Sequence, residues 1–493
     1  MSWGFYGRSV EIESLVKILD RGRFFFLKIE GRRRIGKTRL IREALDRRGG
    51  HANTVYCKIP DAGVEGLVDE WRASLEASGH SLSGVTGLQG FTRTLKNCLH
   101  QGSFVVLDEF QYLSREKLRG VLDALQGVVD DLRAQSSCSG GLLVLGSIAT
   151  ELEDMINDRH SPLFGRVTDQ LKVGHWDVET LVELLERHPA EKEAEQNPAC
   201  RLLSLWNLFE GVPKFYQDAF ERGVLGASRD ALVGELFLSP NAPLAAEAES
   251  WFLRELRGNY APILRYIAEH EGKAHADIVA HMANLSGSTG GQRKTQVGGY
   301  VQGLEEKYEI VESRKPLLSS VAARNRKYYV KDRFLRAFLG AIGPAVKASL
   351  LPFEKRQAMA STRLNDLEGP SFERLYRLSV MEAVLKGRGP ISLASPSDIG
   401  GFWSKNGEVD LLAIDNSSPT LWAISCKRSE SKHSTEGVQA AQDRAQEFLG
   451  QHPQLGPRKI VMVCASPSFS AQARRRVGSV GGHPLSLEEL CWF

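Results

Sequence analysis

The chain has 493 residues, 42% of them hydrophobic and 25% charged, with a formal net charge of +3. That length exceeds what a single core takes and sets an expectation of roughly two to four domains of ordinary globular composition. So small a net charge excludes a global field for nucleic acid and confines any such surface to a local patch. The opening residues, MSWGFYGRSVEIE, carry no basic-then-apolar signal pattern. No apolar run approaches the roughly 20 residues of a membrane span, so no membrane partner is expected. The seven cysteines are scattered without a CxxC pair, several of them inside apolar runs such as TVYCKI and IVMVCAS. Buried thiols in a reducing cytoplasm fit them better than a zinc site.

Residues 24–150 alternate short apolar runs with amphipathic stretches. FFFLKIE, TVYCKI, FVVLDEF and GLLVLGS read as four buried strands. Their β-branched and aromatic content, without polar alternation, predicts a parallel sheet covered on both faces. Between the first strand and the helix TRLIREALDRR lies GRRRIGKT, residues 31–38, which fits the phosphate-binding pattern G-x-x-x-x-G-K-[ST] in its required context. Gly31 and Gly36 let the chain curl so that backbone N–H groups point inward, and the helix N-terminus adds its positive end. Lys37 reaches the β- and γ-phosphates, and the Thr38 hydroxyl ligates magnesium. Arg34, Ile35 and Arg39 lie in or beside the loop and join the candidate nucleotide contacts. The run RRR at 32–34 either touches phosphate or a neighbouring subunit, or is solvated. FVVLDEF supplies the second part: Asp108 to hold magnesium through water, and Glu109 to orient or deprotonate the attacking water. ATP and Mg2+ are the expected cofactors and ATP hydrolysis the expected reaction.

FYGR near the start, GRRRIGKTRL, LDEFQYL, LGS at 145–147, SPLFGR at 161–166 and GVPKFY at 211–216 occur in an order that resembles the archaeal-type P-loop ATPases, AAA+-like proteins related to the STAND signalling ATPases. The resemblance covers the N-terminal half. It implies that Ser147 is a sensor near the γ-phosphate, and that Arg166 is an arginine finger, in cis or across a subunit boundary. It places Pro213 in a helical lid near the nucleotide and Arg8 near the base or ribose. Either a homo-oligomer through the ATPase module or a change of its lid is the expected response to ATP. Structural roles for Arg166, Ser147 and Arg8 stay open.

From about 176 to 256 the pattern is helical, with EKEAEQNPAC a polar loop. Then YAPILRYIAEHEG, HADIVAHMA and QVGGYVQGLEEKYEIVE, followed by KYYVKD, order as three helices and a hairpin, which resembles a winged helix. LSGSTGGQRKT reads as the turn between the second and third helices. The third helix, TQVGGYVQGL, has two adjacent glycines and few basic residues, poor credentials for reading bases. QRK at 292–294 and RNRK at 324–327 are candidate phosphate contacts. Alternatively this domain only packs and transmits the state of the ATPase.

In the last third, GEVDLLAID at 407–415 and LWAISCKRS at 421–429 read as neighbouring buried strands, one carrying Asp410 and the next ending at Lys427. Hydrolysis of a phosphodiester needs charge neutralisation and an activated water, both of which a cation held by carboxylates supplies. Asp410 is the candidate metal ligand, and Lys427 the group that polarises water or stabilises developing charge. KYYVKDRFLRAFL, GPSFERLYR and GFWSKNGEVDLLAID followed by LWAISCKRS resemble the C-terminal domain of unknown function often carried by archaeal-type ATPases, which looks like a PD-(D/E)xK nuclease. The resemblance covers residues 327–470 and puts Glu373 in the usual acidic place of the first helix, as a second metal ligand or holder of a water. Ser425 stands where such sites usually have a second acid, and taken alone it favours a weakened or dead site. Some restriction endonucleases of that superfamily use Ser-x-Lys and take the acid from the following helix. Here that helix is TEGVQAAQDRAQEFL, with Glu436, Asp443 and Glu447; Glu436 and Asp443 lie on one face with Gln439 and are the preferred candidates. Glu408, which shares Asp410's face of the strand, is a further candidate. ARRR at 473–476 and KRSESKH at 427–433 are basic stretches that either track a nucleic-acid backbone or are solvated.

The expected fold class is therefore α/β: a P-loop ATPase core at 1–175 with a helical lid at 176–256, a winged helix at 257–335, and a nuclease-like α/β domain at 336–493. The expected partner is nucleic acid, DNA in particular. Two functions follow: an ATP-driven enzyme that binds and cleaves DNA with a metal, or a nucleotide-controlled switch whose C-terminal domain only binds DNA or a protein partner.

Overall fold

The computed structural model describes residues 3–50, 53–135, 138–146, 149–191, 197–248, 260–286, 291–320 and 322–492. The chain divides into two compact units: Gly7–Trp176 with Val212–Lys214, and Met1–Tyr6 with Asp177–Gly211 and Phe215–Phe493.

The first unit is built on strands β1 (Phe25–Glu30), β2 (Thr54–Lys58), β3 (Phe104–Asp108), β4 (Gly141–Gly146) and β5 (Asp169–Lys172). They form one sheet in the order β2-β3-β4-β1-β5, and every pairing is parallel. The four expected strands are present. The fifth, with the sequence DQLK, is an edge strand whose residues alternate between half-buried and exposed, so it lacks the apolar run that marks the others. Helices Val64–Ala77, Gly87–His100 and Arg119–Arg133 cover one face through Leu67, Trp71, Phe91, Leu95, Leu125 and Val129. Gly141 opens β4 because a β-carbon there would come within 2.0 Å of the Phe25 ring. The C-terminal ends of β1 and β3 point the phosphate loop and Asp108 into the same crevice, where ligands of open α/β sheets bind.

The second unit begins with helices capped by their own sequence. Asp177 caps Val178–Arg187, accepting from the Thr180 amide, and Asn197 caps Pro198–Phe209, with Pro at the first position. Next come helices Tyr260–Glu269, His275–Ser286 and Gly291–Gln302 and a small antiparallel sheet of β6 (Lys273–Ala274), β7 (Val311–Arg314) and β8 (Lys327–Val330), in the order β6-β8-β7. The turn expected between the second and third of these helices is shorter than its composition suggests, since Gly291 to Lys294 are already helical.

Behind this sheet lies a buried ion network. The Arg333 guanidinium donates to both carboxylate oxygens of Glu271, at 2.8 and 2.7 Å, and Arg336 Nε lies 2.9 Å from Glu271 Oε2. Burial alone would keep Glu271 neutral, but Arg333 and Arg336 outweigh it and hold its carboxyl down to about 2.

The rest of the unit is a five-stranded mixed sheet of β9 (Ile399–Ser404), β10 (Gly407–Ile414), β11 (Thr420–Cys426), β12 (Lys459–Ala465) and β13 (His483–Pro484), in the order β13-β12-β11-β10-β9. β10 pairs antiparallel with β9 and β11, while β11, β12 and β13 are parallel to one another. Helix Thr435–Gln451 lays Val438, Ala441, Ala445 and Phe448 against Phe402, Leu412 and Leu421 of this sheet. The expected helix at 369–377 is part of one 33-residue helix, Phe353–Leu385, which runs through Pro370. Among the described residues all seven cysteines are unbridged, five of them buried. No helix there is long and apolar enough to cross a membrane.

Candidate functional site

The phosphate loop leaves β1 at Gly31, where a β-carbon would lie 2.5 Å from the Val173 carbonyl oxygen, so only glycine fits. Arg34 (φ 66°) and Gly36 (φ 92°) take left-handed backbone, which closes the loop onto the helix Lys37–Arg48. Ile35 is fully buried and anchors the loop's underside. Arg39 lies exposed on the first turn of that helix. The Lys37 ammonium donates to the carbonyls of Gly31 (2.8 Å) and Arg32 (3.3 Å). Burial draws it down to about 8, against the pull of Asp108 and Glu109. The Thr38 hydroxyl donates to Asp108 Oδ2 at 3.2 Å, so the loop and the acidic strand end meet. These two oxygens suit magnesium, which takes one or two protein ligands and fills its remaining positions with water and phosphate oxygens.

Two residues of this site carry no motif of their own. Tyr56, on the neighbouring strand β2, donates its hydroxyl to Asp108 Oδ2. Gln111 is buried and donates to Glu109 Oε2 at 2.5 Å. Glu109 itself has left-handed backbone (φ 55°), and its amide donates to Asp108 Oδ1 at 2.8 Å. The signal for Tyr56 was its place two residues before Lys58, which pairs with Asp108. Gln111 could be read from LDEFQYL only by knowing that the chain turns into a short helix there.

Arg8 donates to the Gly174 carbonyl at 2.6 Å and to Glu11 at 2.9 Å. It thereby fixes the backbone one residue beyond Val173, whose carbonyl abuts Gly31. Pro213 starts the helix Pro213–Glu221, and Val212–Lys214 belong to the compact unit of the phosphate loop. Arg166 is held by Asp130 in a two-pronged pair, both bonds 2.8 Å. Ser147 lies outside the described residues.

The other chemistry-bearing group lies in a cleft of about 700 Å3 in the second unit, lined among others by Glu373, Glu408 and Asp410. Strand β10 shifts register against β9 between Val409 and Leu412, and this irregularity at Asp410 re-aims its side chain. Asp410 Oδ2 accepts the Cys426 amide at 2.7 Å and lies 3.4 Å from Lys427 Nζ. The acid and the lysine expected on neighbouring strands are thus together. Glu373 enters from the long helix. Burial first, then Asp410 and Glu408, push its carboxyl up to about 8.

Of the four acids considered as replacements for the one missing at Ser425, Glu408 alone lines this cleft, and it is ion-paired with Lys327 of β8. Asp443 accepts from Gln439 at 2.9 Å, Glu447 from Asn406 at 3.2 Å, and Glu436 is exposed in the first turn of its helix. Among the described residues no group of three or more His, Cys, Asp or Glu side chains is arranged to hold a metal ion. Asp410 and Glu373 are two carboxylates lining one cleft.

The candidate phosphate-contacting arginines are mostly engaged. Arg428 bonds Glu368 at 2.8 Å, Arg474 bonds Glu489 at 2.9 Å, and Arg476 donates to the Glu430 carbonyl at 2.5 Å. The side chains of 292–294 lie outside the described residues.

Residues 25–156 match the family model described as an AAA domain. The first unit has the AAA-type P-loop ATPase fold. Residues 346–438 match a model described as archaeal and bacterial proteins of unknown function, a description that names no activity. An uncharacterized protein of Methanocaldococcus jannaschii is 23% identical over 444 residues, 85% of this chain and 86% of that one. The Walker-type ATPase of Pyrococcus abyssi superposes with a TM-score of 0.50 at 20% identity, covering 68% of this chain and 96% of its own. The ORC2 protein of Aeropyrum pernix, solved in ADPNP-ADP complexes, gives 0.45 at 17% identity over 73% of this chain and 94% of its own.

Proposed function

We propose that the chain is an ATP-hydrolysing enzyme whose second unit binds and cleaves DNA in a metal-dependent reaction. The observation that carries the ATPase part is the bond from Thr38 to Asp108, which joins the phosphate loop to the acidic strand end. Magnesium, held there by Thr38 and Asp108, would neutralise charge on the β- and γ-phosphates. Lys37 binds the same phosphates. Glu109, steadied by Gln111, orients the attacking water. Arg8, Arg34, Ile35, Arg39 and Pro213 shape the nucleotide pocket, Ser147 senses the γ-phosphate, and Arg166 acts as the finger once it leaves Asp130.

The nuclease part is supported by the approach of Lys427 to Asp410 with Glu373 in the same cleft. A cation held by Asp410 and Glu373 would lower the charge on the scissile phosphate and ionise a water at neutral pH. Lys427 stabilises the charge that builds on the phosphate. The four-part organisation, with a lid at 176–256, a winged helix at 257–335 and the nuclease-like domain at 336–493, is part of this reading. So is assembly through the ATPase module.

The test is cleavage of DNA with magnesium or manganese by Asp410→Ala and Lys427→Ala. Both are expected to lose cutting, and cutting that survives both changes contradicts this site. The second reading, a nucleotide-controlled switch that binds DNA or a protein without cutting, is favoured by one feature: Ser425 contributes a neutral hydroxyl where a third carboxylate would bind metal. It predicts ATP-dependent assembly with no cleavage under any divalent metal, and identical masses with ATP and ADP at all concentrations would count against it.

A further inference from the structure

The cleft that holds Glu373 and Asp410 is also lined by Arg314 of β7 and by Arg374 and Arg377 of the long helix. Arg314 lies 4.2 Å over the Tyr329 ring and pairs with Glu312. Arg374 pairs with Glu210 at 3.1 Å, and its Nη1 lies 3.5 Å from Glu312 without a hydrogen bond. Among the described residues Arg377 makes no hydrogen bond or ion pair, and its Nε is buried with no acceptor. The third acid nearby, Glu271, is already taken by Arg333 and Arg336. Three guanidinium groups therefore share two carboxylates, Glu210 and Glu312, and two buried donors, Arg374 Nη1 and Arg377 Nε, are left without an acceptor. Buried N–H groups of this kind are normally met by an acceptor. A ligand with clustered anionic oxygens would meet them, and guanidinium forks match phosphate in two-pronged bonds.

The position fits the chemistry next to it. Arg377 stands four residues after Glu373 on one helix, so the two share a face at about 5–6 Å between β-carbons. That is comparable to the separation of successive phosphates along one strand. A cleft of about 700 Å3 takes a ligand of small-molecule size and not the two strands of a duplex together.

We propose that Arg377, with Arg314 and Arg374, holds a backbone phosphate of a single nucleic-acid strand whose next phosphodiester lies among Glu373, Asp410 and Lys427. The inference rests on the nuclease-like reading of that site for the position of the second phosphodiester. The phosphate contact itself is read without cleavage.

The test is anisotropy of a short fluorescein-labelled single-stranded DNA oligonucleotide with the full chain in EDTA, across a salt series. Arg377→Gln is expected to weaken binding about tenfold and to lower the salt slope by about one, with an unchanged melting midpoint. Arg377→Lys keeps the charge, and is expected to keep the slope while losing about two- to threefold in affinity. Unlabelled duplex and AMP are expected to compete poorly. Unchanged affinity and slope in Arg377→Gln would overturn the proposal. So would unchanged affinity in Arg377→Lys should the glutamine variant not fold, and competition by AMP or duplex equal to that of the unlabelled strand. Normal losses at Arg377 in a protein that never cuts would sink the nuclease reading and leave the phosphate contact standing.

Discussion

The two sites of this chain are made in opposite ways. At the phosphate loop, eight consecutive residues and one strand end supply nearly everything, and the anion is received largely by backbone N–H groups whose aim is set by φ angles at Arg34 and Gly36. In the cleft of the second unit, Glu373, Asp410 and Lys427 come from a helix and two strands, and charge is handled by side chains that hold one another in place. A site made from backbone tolerates changes around it and fails when its own few residues change. A site made from side chains depends on its supports.

The largest effect should follow from Lys37→Ala. Losing the ammonium that reaches the phosphates is expected to cut ATP hydrolysis by about a hundredfold or more, measured as phosphate release. Hydrolysis close to wild type would mean that the loop is not catalytic. The next largest concerns support rather than chemistry. Glu271→Gln leaves Arg333 and Arg336 buried against a neutral partner and is expected to destabilise the second unit by about 3–5 kcal/mol in urea unfolding. The same network has a pH signature. The folded carboxyl sits at about 2, below the value of about 4.3 in an unfolded chain, so its contribution is complete above the unfolded value and is lost as pH falls through the folded one. Wild type should therefore lose more stability than Glu271→Gln between about pH 5 and pH 2, and parallel losses would show that the network contributes nothing. The smallest effect should come from Tyr56→Phe. It removes one hydrogen bond to Asp108, worth about 1–2 kcal/mol, and should raise the magnesium needed for half-maximal hydrolysis severalfold with little change at saturation.

The same contrast explains what the sequence made legible. GRRRIGKT between a strand and a helix, and the strand FVVL followed by Asp108 and Glu109, could be read because each part is local in sequence and sits at the end of an apolar strand. The four apolar strands were legible for the same reason. β5 was not, because an edge strand needs no apolar face. In the second unit the strand pair and its Asp410 and Lys427 were readable from apolar runs on each side. A replacement for the acid missing at Ser425 was not: the sequence pointed first to Glu436 or Asp443 of the following helix, whereas the fold puts Glu408 in the cleft and those two, with Glu447, elsewhere. Arg377 escaped for a related reason. Nothing in RLYR marks an arginine without an acid, since pairing is decided by residues far away such as Glu210 and Glu312. Arg166 looked like a finger by its motif, and in the fold it is held by Asp130, thirty-six residues earlier.

The most direct test of the account is cleavage of supercoiled and linear DNA by the purified protein in manganese or magnesium, with and without ATP, beside Lys427→Ala. The account predicts metal-dependent cutting that the variant lacks. Intact ATP hydrolysis with no cutting by wild type under either metal would contradict it.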